Sequence, residues 1–303
     1  MFAVRPSGAI LGATIEGLDA AQPIPPGDFA RLLVALGRHG VLRLPDQHLD
    51  DVALRAFAER FGEIQGSVAK EAAAGRAVPE VGMLSNIQEN GRYIGFPDAG
   101  QDWHTDMSYR DVMGFVNVLY GVVIPRRDGR PLGGTEFANM HAAYDALPAD
   151  FRSRLATATV THDFNQYWEN ARRHGTDRPP LTPEQRRARP PVMHPLFLTH
   201  PLTRRKVLYC NPGYAARINE LEEAESAETL AFLFAHQLRP EFRWTHVWTE
   251  NDLLVWDHLG TIHRAIADYR RDEPRLIRRC QVMATKVFSP EFLAPVHAAQ
   301  AAM

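Results

Sequence analysis

Apolar residues recur along this chain at two spacings, and the switches between them predict interleaved helices and strands. From residue 28 to 39, Phe29, Leu32, Leu33 and Leu36 fall on one side of a helix, and Gly40 is placed to end it. Residues 41–44 read as a short strand that stops at Pro45. Asp50 is suited to cap a helix whose apolar stripe is Leu54, Phe57, Ala58 and Phe61, with Gly62 closing it. β-Branched and aromatic residues become dense over 113–124, 242–248, 252–256 and 276–288, which predicts the best strands. Further helices are predicted over 141–147, 149–158 and 225–238.

One stretch breaks the pattern. Residues 169–195 are rich in proline and arginine, including Arg172, Arg173, Arg178, Arg186, Arg187 and Arg189, and read as an irregular excursion from the core. It is either a lid over a site or a solvated surface loop with one helical turn after Thr182-Pro183. No internal repeat, heptad run or low-complexity linker divides the chain, so residues 1–303 are expected to form a single domain.

Composition then narrows the function. With 45% hydrophobic and 23% charged residues, the chain has the balance of an ordinary soluble globular protein. A net charge of -2 and a pI near 6.7 give no general attraction to nucleic acid or to an anionic membrane, so a small-molecule partner is expected. Cys210 and Cys280 are the two cysteines and form no C-x-x-C pair, which argues against a disulfide framework or a zinc ribbon. The N-terminus lacks a basic region followed by an apolar run, and no segment approaches the roughly 18 apolar residues of a membrane span, so a cytoplasmic enzyme is expected.

The candidate chemistry lies in two distant segments. If extended, His104-Thr105-Asp106 sends an imidazole and a carboxylate to one face, while Thr105 points away. An H-x-D triplet carries little weight alone in a chain with 13 histidines, and His48-Leu49-Asp50 is a second one that helix capping explains. On its own, His104-Thr105-Asp106 is read more readily as a structural histidine paired with its neighbouring aspartate. The second segment, W-D-H-L-G-T-I-H-R-A-I-A-D-Y, adds His263 as a third ligand candidate. Two imidazoles and one carboxylate on one side of a metal leave positions open for a co-substrate and dioxygen, which points to a mononuclear iron site. Beyond it, Arg275, Ile277, Arg279, Gln281 and Met283 share one face of a strand, opposite Leu276, Arg278, Cys280 and Val282. Inward guanidinium groups are costly unless they meet an anion, and a carboxylate matches their fork; an exposed edge strand with solvated arginines is the alternative.

Together with several spaced motifs, these residues resemble the taurine and aryloxyalkanoate (TauD/TfdA-type) dioxygenase family of Fe(II)/2-oxoglutarate enzymes. The motifs are H-G-V-L-R-L-P-D-Q near residue 40, A-F-A-E-R-F-G-E-I from Ala56, and D-A-G-Q-D-W-H-T-D-M-S-Y from Asp98. G-G-T-E-F-A-N-M-H-A-A-Y-D-A-L-P from Gly133, then H-P-L-F-L-T-H-P and L-Y-C-N-P-G-Y within residues 194–214, extend the similarity over nearly the whole chain. The resemblance implies a mixed α+β, mainly β core: a double-stranded β-helix (jelly roll) flanked by helices. It implies that His104, Asp106 and His263 bind Fe(II), that Thr135 and Arg275 hold the distal carboxylate of 2-oxoglutarate, and that Arg279 meets the anionic group of the substrate. The two arginines could exchange roles.

The implied reaction is oxidation, chiefly hydroxylation, of a C–H bond in a small carboxylate-bearing substrate. Dioxygen is consumed, and 2-oxoglutarate becomes succinate and CO2. Because Asp106 is present, the site does not resemble the related halogenases. A homo-oligomer, dimer or tetramer, is also implied. Departures from the family pattern are the shortened turn Gly133-Gly134-Thr135, His258 in place of the usual asparagine after Trp-Asp, and Ser67 and Gly100 where taurine enzymes grip the sulfonate. Taurine is therefore disfavoured as substrate. The competing reading is a jelly-roll protein that binds a metal or small acid without oxidising anything.

Overall fold

Period-two alternation in the central strands decides the layering of this molecule. A computed structural model describes residues 2–65, 77–97, 100–173 and 179–301. The main sheet has seven strands in the order Ala3–Pro6, Ala13–Glu16, Val41–Leu44, Leu253–Asp257, Gly114–Val123, Leu276–Met283 and Gly82–Ser85. All neighbours are antiparallel except Ala13–Glu16 with Val41–Leu44. On one face Val116, Val118, Leu253, Val255, Cys280 and Val282 join the large core that includes Leu32, Leu33, Leu36, Phe57 and Phe61 of the covering helical segments. On the other face Leu119, Leu254, Trp256 and Ile277 meet Phe137 of a second, three-stranded sheet, Arg243–His246, Thr135–Asn139 and Thr261–Ala265. The fold is thus mixed α/β, with a large sheet and a small sheet facing each other across an apolar layer.

Local sequence explains most boundaries. The helix Pro26–His39 ends where Gly40 adopts φ 68°, a left-handed conformation that glycine enters without a Cβ penalty. Asp50 caps the helix Asp51–Ala58 by accepting a hydrogen bond from Ala53 N at 2.8 Å. Phe61, three residues beyond that helix, stays in the core by stacking edge-on against Phe29 and Phe57. The expected strand over 276–288 stops at Met283, and a helix, Pro290–Ala301, follows. Alanines and the internal Pro295 hide its stripe in the sequence, although Phe292 packs edge-on against Phe29 and Phe115.

The 169–195 segment is more regular over its described residues than an irregular excursion, and the helical turn expected after Thr182-Pro183 is present. It opens inside a helix, Phe164–Arg173, contains the short helix Pro183–Arg187 started by a Thr182/Gln185 capping box, and ends in the strand Val192–Pro195. Arg178 lies outside the described residues. Its arginines are engaged locally rather than merely solvated: Arg172 and Arg186 both pair with Glu169, Arg187 pairs with Glu184, and Arg189 lies over the Phe164 ring. No helix among the described residues is long and apolar enough to cross a membrane.

Two buried histidines, His141 and His162, make a pH-dependent contribution to stability. Burial pushes His162 down to about 3 and His141 to about 4, with His194 and His200 respectively adding to the effect. Below its ordinary value each ring takes up a proton in the unfolded chain but not in the folded one, so stability falls as pH drops through the window between them. Each group contributes about 1.4 kcal/mol per pH unit in that window. Urea midpoints measured between about pH 7 and pH 5 are expected to fall, and to fall less steeply in His162→Phe. An unchanged slope in the variant would contradict this assignment.

Candidate metal centre

The two candidate imidazoles meet through the backbone. His104 N donates to His263 O at 3.0 Å and His263 N donates to His104 O at 2.8 Å, an isolated antiparallel bridge between segments remote in sequence. The expected extended triplet is only partly realised: His104 lies in the bridge, and the chain turns at Asp106 and Met107, where φ is 61°. The turn still brings the carboxylate back. One ligand atom from each of His104, Asp106 and His263 lies within 4.8 Å of the others, and the three residues are 4%, 7% and 6% exposed. Thr105 points away, as its place in the triplet predicts, and donates to His258 O at 2.9 Å.

Hydrogen bonds around the triad orient it. His104 Nδ1 lies 2.7 Å from Asp102 O; a carbonyl only accepts, so Nδ1 carries the proton and Nε2, 3.3 Å from Asp106 Oδ1, faces the cluster. Asn117 Nδ2 donates to Asp106 Oδ2 at 2.7 Å, and Arg279 Nη1 is 3.9 Å from the same oxygen. Burial pushes the Asp106 carboxyl up, but His104, Arg279 and His263 outweigh it and hold the group well below the usual range. Burial and the neighbouring His104 push His263 well below its ordinary value. An ionised carboxylate beside a neutral imidazole is the protonation state a cation requires.

His263 lies on a strand of the small sheet that follows a turn out of the large sheet, and sequence reasoning did not resolve that turn. Asp257, 1% exposed, accepts from Leu259 N and Gly260 N at 2.9 Å each, and His200 Nε2 lies 2.8 Å from its Oδ2. These bonds fix the turn between strands Leu253–Asp257 and Thr261–Ala265 and so fix the register of His263. His258, the departure from the family pattern, is buried behind the triad, where burial pushes it down to about 4. The decoy triplet behaves as a cap: Asp50 bonds Ala53 N and the His48 side chain is exposed.

A cavity of about 730 Å³ opens from the triad. Arg275, Arg279 and Gln281 line it, so the predicted face of the strand does turn inward, while Arg278 on the opposite face pairs with Asp51. The guanidinium of Arg279 stands next to Asp106, whereas that of Arg275 lies beside Gly133, with Nη2 3.4 Å from its carbonyl. Arg275 is 5% exposed, lies over the Tyr269 ring, and its Nε has no partner among the described residues; burial lowers its pKa. Gly133, at φ 71°, permits this approach, since a Cβ there would lie 2.9 Å from Arg275 Nε. Thr135 lines the same cavity two residues later and accepts from Trp248 Nε1 at 3.0 Å. The remaining wall is aromatic, with Tyr93, Phe96, Tyr109, Tyr167 and Tyr214 among its members. Gly100 lies over His104, where a Cβ would be 3.2 Å from Cε1; Ser67 falls outside the described residues.

Asn117 and Asp257 escaped the sequence reading. The signal for Asn117 was a lone amide within the apolar run F-V-N-V-L-Y, where an uncompensated polar group would be costly. Asp257 is the aspartate of the Trp256-Asp257 pair but offers no spacing that separates a turn staple from a ligand.

Comparison with known proteins agrees with this geometry. The profile of the family described as taurine catabolism dioxygenase TauD, TfdA family, matches residues 3–281. Pentalenolactone F synthase of Streptomyces avermitilis is 33% identical, over 92% of this chain and 93% of its own length. The alpha-ketoglutarate-dependent 2,4-dichlorophenoxyacetate dioxygenase of Cupriavidus pinatubonensis is 31% identical, over 86% of this chain and 90% of its own. The crystal structure of AAD-2 in complex with Mn(II) and N-oxalylglycine superposes with a TM-score of 0.77 at 28% identity, covering 94% of this chain and 98% of that one. The chain belongs to the TauD/TfdA family of dioxygenases.

Proposed function

We propose that this protein is an Fe(II)- and 2-oxoglutarate-dependent dioxygenase that hydroxylates a C–H bond of a small anionic substrate. The observation that carries the proposal is the convergence of His104, Asp106 and His263 at the end of a cavity that also holds the buried guanidinium of Arg275, whose Nε has no partner among the described residues. Two imidazoles and a carboxylate are the donor set of non-haem iron oxygenases, and their grouping leaves one side of an ion open. The Cupriavidus pinatubonensis relative is an alpha-ketoglutarate-dependent dioxygenase, and AAD-2 holds Mn(II) and N-oxalylglycine. The two facing sheets support a double-stranded β-helix as the scaffold.

Bound Fe(II) and 2-oxoglutarate supply the oxidising chemistry: one oxygen atom of dioxygen enters the substrate as hydroxyl, the other enters succinate, and CO2 leaves. The chain's own residues bind, orient and exclude water. Asn117 and Arg279 hold Oδ2 of Asp106, which keeps Oδ1 directed at the cluster. Arg275 and Thr135 hold the distal carboxylate of 2-oxoglutarate, and Arg279, on the triad side of the cavity, meets the substrate anion. The aromatic wall favours an apolar body behind that anion and keeps water from the reacting carbon. Phe164, Tyr167 and Trp168 contribute to the wall from the helix that leads into the 169–195 excursion.

Anaerobic titration of the protein with Fe(II) and 2-oxoglutarate is expected to give a weak visible charge-transfer band that Asp106→Ala and His263→Ala abolish. No band, together with no 2-oxoglutarate-dependent succinate across a broad panel of acids, would favour the non-catalytic binding protein. Arg279→Ala is expected to weaken acid substrates by about tenfold or more while leaving 2-oxoglutarate affinity nearly intact. The opposite pattern in paired binding isotherms would exchange the roles of Arg275 and Arg279.

A further inference from the structure

Behind the cavity wall, the direction of one buried hydrogen bond has a chemical consequence. Trp248 Nε1 lies 3.0 Å from Thr135 Oγ1, and the two residues are 0% and 4% exposed. An indole nitrogen can only donate, so the hydroxyl oxygen must accept. A threonine hydroxyl has a single proton, and among the described residues no group is recorded as accepting it. Thr135 lines the cavity, so the proton that the indole leaves free has the cavity as its outlet.

We infer that Trp248 is a positioning residue for the co-substrate: by donating to Thr135 Oγ1 from behind, it occupies one lone pair and turns the hydroxyl proton away from itself, which favours donation toward the cavity. Arg275 is the other donor there, a buried guanidinium whose Nε is unpartnered. A guanidinium that only donates and a hydroxyl turned to donate make a cradle for a group that only accepts, which is an ionised carboxylate. Without the indole N–H, the Thr135 hydroxyl can rotate and present its lone pairs, which repel the same carboxylate.

The indole is held firmly enough to impose this direction. Strand Arg243–His246 pairs with Thr135–Asn139 in a register that sets Thr135 opposite His246, two residues before Trp248. The ring packs edge-on against His246, with centroids 4.9 Å apart, and lies in the apolar layer with Leu119, Phe137, Leu254 and Ile277. Gly121 leaves room for it, since a Cβ there would lie 3.1 Å from Trp248 Cε3.

This inference rests on the proposal that 2-oxoglutarate binds at Thr135 and Arg275, and calorimetry on the Mn(II)-loaded protein separates the two. Thr135→Val is expected to weaken 2-oxoglutarate about tenfold or more, and Trp248→Phe about threefold to tenfold. Adding Trp248→Phe to Thr135→Val should cost nothing further, because no hydroxyl remains to be oriented. Binding of 2-oxobutyrate, which lacks the distal carboxylate, should be equal in wild type and Trp248→Phe. A structural role alone predicts the reverse: equal losses of 2-oxoglutarate and 2-oxobutyrate, or additive losses in the double variant. Either result, or an unchanged 2-oxoglutarate affinity in Trp248→Phe, overturns the inference. If Trp248→Phe does not fold, benzothienylalanine at position 248 replaces the N–H by sulfur within the same ring shape, and the same criteria apply. Failure of the wild-type protein to bind 2-oxoglutarate at all would instead overturn the functional proposal beneath it.

Discussion

Two backbone hydrogen bonds between His104 and His263 are the constraint on which the site depends. Each residue arrives from a different part of the chain, and neither segment alone carries a complete ligand set. A backbone bridge fixes the separation and orientation of two Cα atoms far better than side-chain packing does, because both partners give and receive a bond. Once His104 and His263 are paired, the turn at Asp106 and Met107 needs only to swing one carboxylate inward, and Asn117 holds it there. The seven-stranded sheet supplies Asn117, Arg279 and the strand leading into Asp257, whereas the small sheet supplies His263 and Thr135. The cavity therefore exists only where both sheets are correctly facing.

The cost of such a site is electrostatic. Three buried titratable groups and a buried guanidinium are set into a protein interior that favours neutral, hydrogen-bonded groups. Part of that cost is met locally, by the Asp102 carbonyl under His104, by Asn117 and Arg279 at Asp106, and by the Asp257 staple with His200 at the turn between the sheets. The rest is left open at Arg275, whose Nε has no partner among the described residues, and at His263, whose Nδ1 is likewise buried without one. Unsatisfied groups of this kind, gathered around one cavity, are what a site prepared for a cation and an anion leaves behind.

How far the sequence spoke for this arrangement varied with the range of the forces involved. Helix limits at Gly40 and Asp50 were legible because a left-handed residue and a capping carboxylate act within a few positions. The inward face of Arg275, Arg279 and Gln281 was legible because strand alternation is local. The helix Pro290–Ala301 was not, since alanines and a proline obscure its stripe and its burial comes from Phe29 and Phe115, far away in the chain. In the arginine-rich excursion the turn after Thr182-Pro183 was legible, but the pairing of Arg172 and Arg186 with Glu169 was not, because the composition suggests solvation. At the site, the residues that meet as a candidate metal cluster were readable and their supports were not: Asn117, Asp257, His200 and Trp248 act through contacts that only the assembled sheets create.

The central claim is that one ferrous ion is gripped by His104, Asp106 and His263 together. Anomalous diffraction at the iron edge, from crystals grown anaerobically with Fe(II) and 2-oxoglutarate, tests it directly. A single strong peak within bonding distance of the His104 imidazole, an Asp106 carboxylate oxygen and the His263 imidazole is the expected result. A peak held by other side chains, or one that leaves His263 unbound, would contradict the account.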